Sequence, residues 1–325
     1  MLKIDQIQCD NPVVLAPMAG VTNLAFRQIC VDYKPGLYFN EMVSDQALYY
    51  RNDRTMQMLQ TLPQEHPIVF QIFGHDAKYL VKGAQYLDKQ TDCDIIDFNM
   101  GCPVRKITKQ GSGSALMQDI TKASELVYQM KQSIDKPLTV KLRAGWDNDS
   151  INVVEMSKAL EKAGASAVFV HPRTRAQMYE GKSDWSLIKQ VKEALSIPVV
   201  GNGDILSGQD ALDMLNQTGC DGVMIGRGML GKPWLIQEIK DALDKKESVF
   251  NPDLEYRFKM LLNHARKLIN LMGEENGMKQ MRSHAAWGFK GLPNSHVIKK
   301  DLVQMKTYQQ FVTILDEYKG RGYDE

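Results

Sequence analysis

No run of about 18 apolar residues occurs anywhere in the chain, so nothing in it reads as a transmembrane helix. Cysteine is scarce and scattered. Cys9, Cys30, Cys93, Cys102 and Cys220 are odd in number, far apart and never spaced C-x2-C. That pattern argues against a disulfide scaffold and against a structural metal site, and it points to a reducing cytoplasm. The first eleven residues carry charges and no apolar core, so no secretory signal is expected. Net charge of one sign is also missing: the total is +1. Only its distribution is informative. Residues 250–325 hold 12 Lys/Arg against 9 Asp/Glu, and residues 276–300 contain Lys279, Arg282, Lys290, Lys299 and Lys300 with no acid. A solvated helix face is the commoner origin of such a run. Trp287 and Phe289 within it tilt the reading toward a nucleic-acid surface.

What is present is a soluble globular balance, 43% hydrophobic and 24% charged, in a chain of 325 residues. Short runs rich in Val, Ile and Phe recur at 13–16, 37–41, 68–73, 93–99, 138–143, 167–171, 198–201 and 222–226. Most are nearly continuous in apolar residues, as strands covered on both faces should be. The segments between them have helical spacing, as in Leu80, Ala84 and Leu87. Eight such units predict a (β/α)8 TIM barrel, with a doubly wound open sheet as the runner-up. After the eighth unit only helical patterns remain, at 256–271, 278–289 and 308–318. The expected organisation is therefore a barrel over 1–246, a linker near residues 245–252, and a small helical bundle from 247 to 325.

In such barrels the chemistry sits where strands run into the following loops. The last two of these are Gly201-Asn202-Gly203-Asp204 and Gly226-Arg227-Gly228. Glycine-rich turns leave backbone N–H groups free to cradle a phosphate, and Arg227 adds a charged partner. Tight turns alone would also call for Gly203 and Gly226, but two consecutive loops at this place favour a phosphate-bearing ligand. Lys141 on the fifth strand reads as a Schiff-base lysine or as a charge that stabilises a reduced ring. His171 reads as a core histidine or a ligand contact. Cys102 lies between Gly101 and Pro103 at the end of the fourth strand. Taken alone, a cysteine is more often a small buried hydrophobe. Here it opens a loop with Arg105, Lys106, Lys109, four small residues at 111–114 and no acid. A thiol so placed can act as a general acid on an anionic polymer.

These motifs resemble those of the tRNA-dihydrouridine synthase family, most of all its bacterial B-type branch. The resemblance runs along nearly the whole chain: Ala16-Pro17-Met18-Ala19-Gly20-Val21-Thr22, Asn99-Met100-Gly101-Cys102-Pro103, Lys141 with Arg143, His171-x-Arg173-Thr174-Arg175, Asn202-Gly203-Asp204 and Ile225-Gly226-Arg227. The tail matches through Arg282-x-His284-Ala285-Ala286-Trp287 and Lys290-Gly291-Leu292-Pro293. The resemblance implies a cytoplasmic FMN enzyme that consumes NADPH, reduces uridine in tRNA to 5,6-dihydrouridine and binds RNA through its helical tail. Ribosomal RNA is an alternative substrate. The implied cofactor residues are Ala16, Pro17, Met18, Gln71, Lys141, His171, Asn202, Gly203, Asp204, Gly226 and Arg227. The implied proton donor is Cys102, and Asn99 and Arg143 would contact the uracil. Arg173, Arg175, Arg105, Lys106, Lys109, Lys279, Arg282 and Lys290 are the expected RNA contacts, in a monomer. The chain departs at Pro172, where the family usually has glycine, and proline removes one backbone N–H. A flavin barrel acting on free pyrimidines would leave the basic tail unexplained. An RNA-binding protein without catalysis would leave Cys102, Lys141 and His171 unexplained.

Overall fold

The computed structural model describes residues 2–246 and 250–321. Residues 247–249, inside the expected linker and at the expected start of the tail, lie outside the described residues, as do 322–325. Eight strands form the barrel: β1 (Val13–Leu15), β2 (Tyr38–Phe39), β3 (Ile68–Phe73), β4 (Ile95–Met100), β5 (Leu138–Arg143), β6 (Ala167–His171), β7 (Val199–Asn202) and β8 (Gly222–Ile225). All neighbours pair parallel, in ring order from β2 through β8 and on to β1. The ring closes between β1 and β2 through the parallel bridge Val14–Leu37, where Leu15 N donates to Leu37 O and Gly36 N to Val13 O.

The strands are apolar on both faces for two reasons. Outward residues such as Phe70, Ile72, Phe98, Val140 and Val170 pack under the helices. Inward residues Val14, Phe39, Val69, Ile95, Phe169, Val200 and Met224 fill the lower half of the barrel together with Leu2, Ile4 and Cys9. The latter three flank or belong to a hairpin, Lys3–Ile4 with Ile7–Gln8, that stops the barrel floor and that the sequence reading did not anticipate. Toward the C-terminal ends of the strands the inward positions turn polar: Gln71, Asp97, Asn99, Thr139, Arg143, His171 and Asn202 are all buried. Strands alternate their faces with period two. A polar residue on the inward face of a strand that is otherwise apolar is therefore lining something.

Among the described residues, besides two short loop helices at Asp53–Met58 and Arg105–Thr108, eight helices surround the ring: α1 (Leu24–Cys30), α2 (Asp45–Tyr49), α3 (Ala77–Gln90), α4 (Ile120–Lys131), α5 (Val153–Lys162), α6 (Trp185–Ala194), α7 (Gly208–Thr218) and α8 (Leu235–Leu243). Their starts are set locally. Asn23, Asp76, Asp119, Asp184 and Ser207 cap free N–H groups of α1, α3, α4, α6 and α7. Within α1, Arg27 is 1% exposed and pairs with the equally buried Glu65 at 2.7 Å, while its other donors reach Thr22 O and Gln60 O. That satisfied pair ties the turn after β1 to the loop before β3.

The tail comprises α9 (Leu254–Gly288), α10 (Ser295–Gln304) and α11 (Tyr308–Gly320). Helix α9 breaks at Gly273, with φ +79° and ψ 163°, and folds back on itself. A side chain at Gly277 would stand 2.9 Å from Leu268 O, so glycine lets the two halves touch backbone to backbone. The helix α10 was not foreseen from the sequence. The tail has a core of its own, including Phe258, Leu268, Met281, Phe289, Phe311 and Tyr318. It also seats on the barrel. Phe26 of α1 lies 5.7 Å from both His264 and His284, the hydroxyls of Tyr33 and Tyr256 are 3.0 Å apart, and Gln280 donates to Gly20 O. No helix among the described residues is long and apolar enough to cross a membrane.

Candidate active site

The polar ends of the strands line a cleft of about 780 Å³ at the mouth of the barrel. One wall comes from Ala16, Pro17 and Met18 after β1, where the turn is held by Thr22, whose hydroxyl accepts from Met18 N. The opposite wall carries Asn99, Gly101 and Cys102 after β4. Gln71, Lys141, Arg143, His171 and Asn202 line it from their strands, and Gly203, Asp204, Gly226 and Arg227 edge it at the β7 and β8 turns. The tail contributes Trp287 and Lys290. All eleven residues expected to hold a cofactor thus share one cleft with Cys102, Asn99, Arg143 and Lys290.

The β7 and β8 turns are built to lie close together. Gly228 lies against loop seven, where a side chain would meet Ile205 O at 2.2 Å. Gly203 has φ +121°, and a side chain there would collide with Ser183 and His171. The backbone N–H groups of Gly203, Asp204 and Gly228 have no backbone or side-chain acceptor among the described residues. Arg227 is exposed, makes no ion pair among the described residues, and stacks 4.6 Å over the Tyr179 ring. Free N–H groups beside an uncommitted guanidinium fit a phosphate.

Lys141 donates to Asn202 Oδ1 at 3.0 Å, and Asn202 in turn donates to Met224 O. Burial and the neighbouring Arg143 pull the Lys141 ammonium down to about 8, against the opposing pull of Asp97. The lysine is therefore still charged at neutral pH and can meet the polar, electron-accepting edge of a bound ring. His171 is held neutral by burial, reinforced by Lys141, Arg143, Arg173 and Arg227. Arg143 is buried, with Nε on Gly101 O and Nη1 shared by Thr174 O and Met178 O, which leaves Nη2 for a ligand.

Cys102 is half-buried; the other four cysteines are buried. Its turn is fixed by Asn99, whose Oδ1 accepts from Gly101 N at 3.2 Å and Cys102 N at 2.9 Å. Farther on, Ser114 Oγ donates to Cys102 O at 2.9 Å. Burial pushes the thiol up, against a backbone N–H of Val104 and the charges of Arg143 and Lys141. It therefore holds its proton at neutral pH, as a general acid must.

Several expected residues lie elsewhere. Arg173 is 2% exposed and spends its donors on Glu180 O, Gly181 O, Ser183 Oγ and both oxygens of Asp204. It braces the β6 and β7 loops and does not line the cleft. Arg175 stacks at 4.5 Å on Trp146. Arg282 donates from Nε to Met305 O inside the tail. Arg105, Lys106, Lys109 and Lys279 are exposed at the surface outside the cleft. Pro172 is buried beside His171. The sequence reading missed Met42, Tyr179 and Leu230 as cleft residues, and it gave Trp287 no place there. No sequence signal singles out the first three. It also passed over Asp97, although a carboxylate two positions before Asn99 shares its inward face.

A closed parallel barrel with a polar, glycine-edged cleft at its C-terminal end is the architecture of a barrel enzyme. The chain belongs to the dihydrouridine synthase family, whose model matches residues 14–320. It is similar to the tRNA-dihydrouridine synthase B of Pasteurella multocida, with 36% identity over 92% of this chain and 90% of the relative. A probable tRNA-dihydrouridine synthase of Mycobacterium tuberculosis is 38% identical over 98% of this chain and 85% of the relative. The Shewanella oneidensis tRNA-dihydrouridine synthase B is 34% identical over 98% of both.

Proposed function

We propose that this protein reduces uridine in tRNA to 5,6-dihydrouridine, with FMN as resident cofactor and NADPH as reductant. The observation that carries the reading is one cleft holding a protonated thiol, a half-buried charged lysine and a phosphate cradle on three different walls. The residues fit FMN: Gly203, Gly228 and Arg227 for its phosphate, Lys141 and Gln71 for the polar edge of its ring, and Ala16 to Met18 for its face. When bound, that group supplies the hydride that reduces a carbon–carbon double bond.

The chain's own residues do the rest. Asn99 and the free Nη2 of Arg143 orient the pyrimidine, and Cys102 delivers its proton to C5. A uracil stacked in RNA reaches neither, so it must be flipped out into the cleft. Lys290 and Trp287 stand at the rim to receive the strand, and the exposed Lys279, Arg105, Lys106 and Lys109 supply phosphate contacts at a distance. The small-molecule alternative assigns no role to these surface cations.

The test is turnover by purified protein on unmodified tRNA, on rRNA and on free uridine, with dihydrouridine mapped base by base in RNA from cells with and without the gene. The reading expects yellow protein, activity on tRNA and none on the nucleoside. Folded protein that binds no FMN when FMN is supplied would defeat it.

A further inference from the structure

Beneath the cleft runs a chain of hydrogen bonds whose buried end has no part in the reaction above. It begins at Asp97, which is fully buried. Thr139 Oγ1 donates to Asp97 Oδ1 at 2.7 Å, and Gln71 Nε2 donates to Oδ2 at 2.7 Å. Asn99 Nδ2 donates to Gln71 Oε1 at 2.7 Å. Asn99 Oδ1 then accepts the two backbone N–H groups of the Cys102 turn. Three strands and one loop are linked in this way: the chain runs from β5 to β4, across to β3, back to β4 and into the turn after it.

Each end dictates the same polarity. An ionised carboxylate only accepts, so Gln71 must turn its NH₂ toward Asp97 and its oxygen toward Asn99. Backbone N–H groups only donate, so Asn99 must turn its oxygen toward the cysteine turn and its NH₂ toward Gln71. Both lone pairs of Asn99 Oδ1 are taken. What Asn99 has left for the cleft is a single N–H, which suits a ring carbonyl and opposes a ring amine.

We propose that Asp97 is a positioning residue: it anchors the buried end of the Gln71–Asn99 carboxamide chain, and so holds the Cys102 turn in place and keeps Asn99 a donor toward the cleft. The proposal rests on the dihydrouridine reading for its substrate and on the geometry alone for its effect at Cys102. Burial raises the Asp97 carboxyl to about 7, but a proton on the oxygen facing Thr139 leaves the polarity unchanged, because a hydroxyl can accept. For the same reason Asp97→Asn keeps the chain, with its oxygen toward Gln71 and its NH₂ toward Thr139. Asp97→Leu removes the terminal acceptor.

The experiment measures alkylation of Cys102 by iodoacetamide in apoprotein, read by peptide mass, alongside tRNA kinetics of the FMN-loaded enzyme. Loosening the turn by about one hydrogen bond should speed alkylation in Asp97→Leu about tenfold. Asp97→Asn should stay within about threefold of the parent protein. With tRNA, Asp97→Leu should lose kcat and keep its KM, because phosphate contacts are untouched. A folded Asp97→Leu protein with unchanged alkylation overturns the proposal. So does an Asp97→Asn protein as disturbed as Asp97→Leu, which would assign the effect to charge beside Lys141. If Asp97→Leu does not fold, Gln71→Met breaks the chain one link later and must raise alkylation in the same way; no rise overturns the proposal. A parent protein inert toward all RNA would sink the dihydrouridine reading while leaving the alkylation result to decide this one.

Discussion

Replacing Arg227 by alanine isolates the phosphate end of the cleft. The guanidinium is exposed, free of carboxylates among the described residues, and parked over Tyr179 at 4.6 Å, so its removal strands no buried partner. A hydrogen bond to a charged group is worth about 1.5–3 kcal/mol, which corresponds to a Kd about 10- to 150-fold weaker. Binding should survive, since the N–H groups of Gly203, Asp204 and Gly228 remain. Riboflavin, which lacks the phosphate, provides the internal control. Titrating apoprotein and following quenched flavin fluorescence should show the loss for FMN and riboflavin affinity within about twofold of the parent. Arg227→Lys should recover part of the FMN affinity and not all of it, because an ammonium cannot match the two-pronged geometry. Equal losses for FMN and riboflavin would mean that Arg227 acts through Tyr179 or the loop. No loss for either would place the phosphate elsewhere and refute the reading of the β7 and β8 turns.

Cys102→Ala should bind FMN and let NADPH reduce it, while reduction of tRNA falls by about 10²–10⁴-fold; stopped-flow flavin absorbance separates the two half-reactions. Lys279→Ala with Lys290→Ala should weaken RNA binding and lower the slope of log K against log salt by about 0.7–0.9 per lost contact, at unchanged FMN content. Arg282→Ala should instead lower Tm, because its Nε is committed to Met305 O, and should cost about 1 kcal/mol. Acid should destabilise the apoprotein. His171, His264 and His284 are neutral in the fold because they are buried, so their stabilisation is complete above about 6.5 and is lost as protons bind the unfolded chain below it. For His284, pulled down to about 4, the loss reaches about 3 kcal/mol by pH 4. Urea midpoints that do not fall between pH 7 and pH 4.5 would contradict this.

Most of the barrel could be read from its strands because parallel strands covered on both faces leave an apolar run with few interpretations. The eight runs fall on the eight strands, and the residues at their C-terminal ends fall in one cleft. The floor hairpin escaped because two-residue strands carry no periodicity. Helix α10 escaped because Ser295-His296-Val297-Ile298 offers one apolar pair and follows Gly291 and Pro293, which read as a turn. Among site residues, most of those on strands and Arg227 beside its glycines were legible, whereas the arginines of the β6 loop were not. Arg173 and Arg175 are both cations near a strand end, yet one braces two loops and the other covers a tryptophan. Charge type gives no direction for a side chain that long. Tyr179 lies eight residues beyond β6, and nothing local marks it as returning to the cleft.

The contact between Gly231 and Trp287 limits what recombination can do with this protein. A side chain at Gly231, which has φ +74°, would stand 2.3 Å from the backbone of Trp287, so barrel and tail meet there main chain to main chain. Trp287 and Lys290 are at the same time part of the cleft wall. The tail is therefore not a cassette. A chimera joined near residue 246, with the barrel of one relative and the tail of another, would assemble its substrate cleft from two parents that had never been fitted to each other. Transplanting a tail to change which RNA is chosen should need residues 228–231 carried over with it.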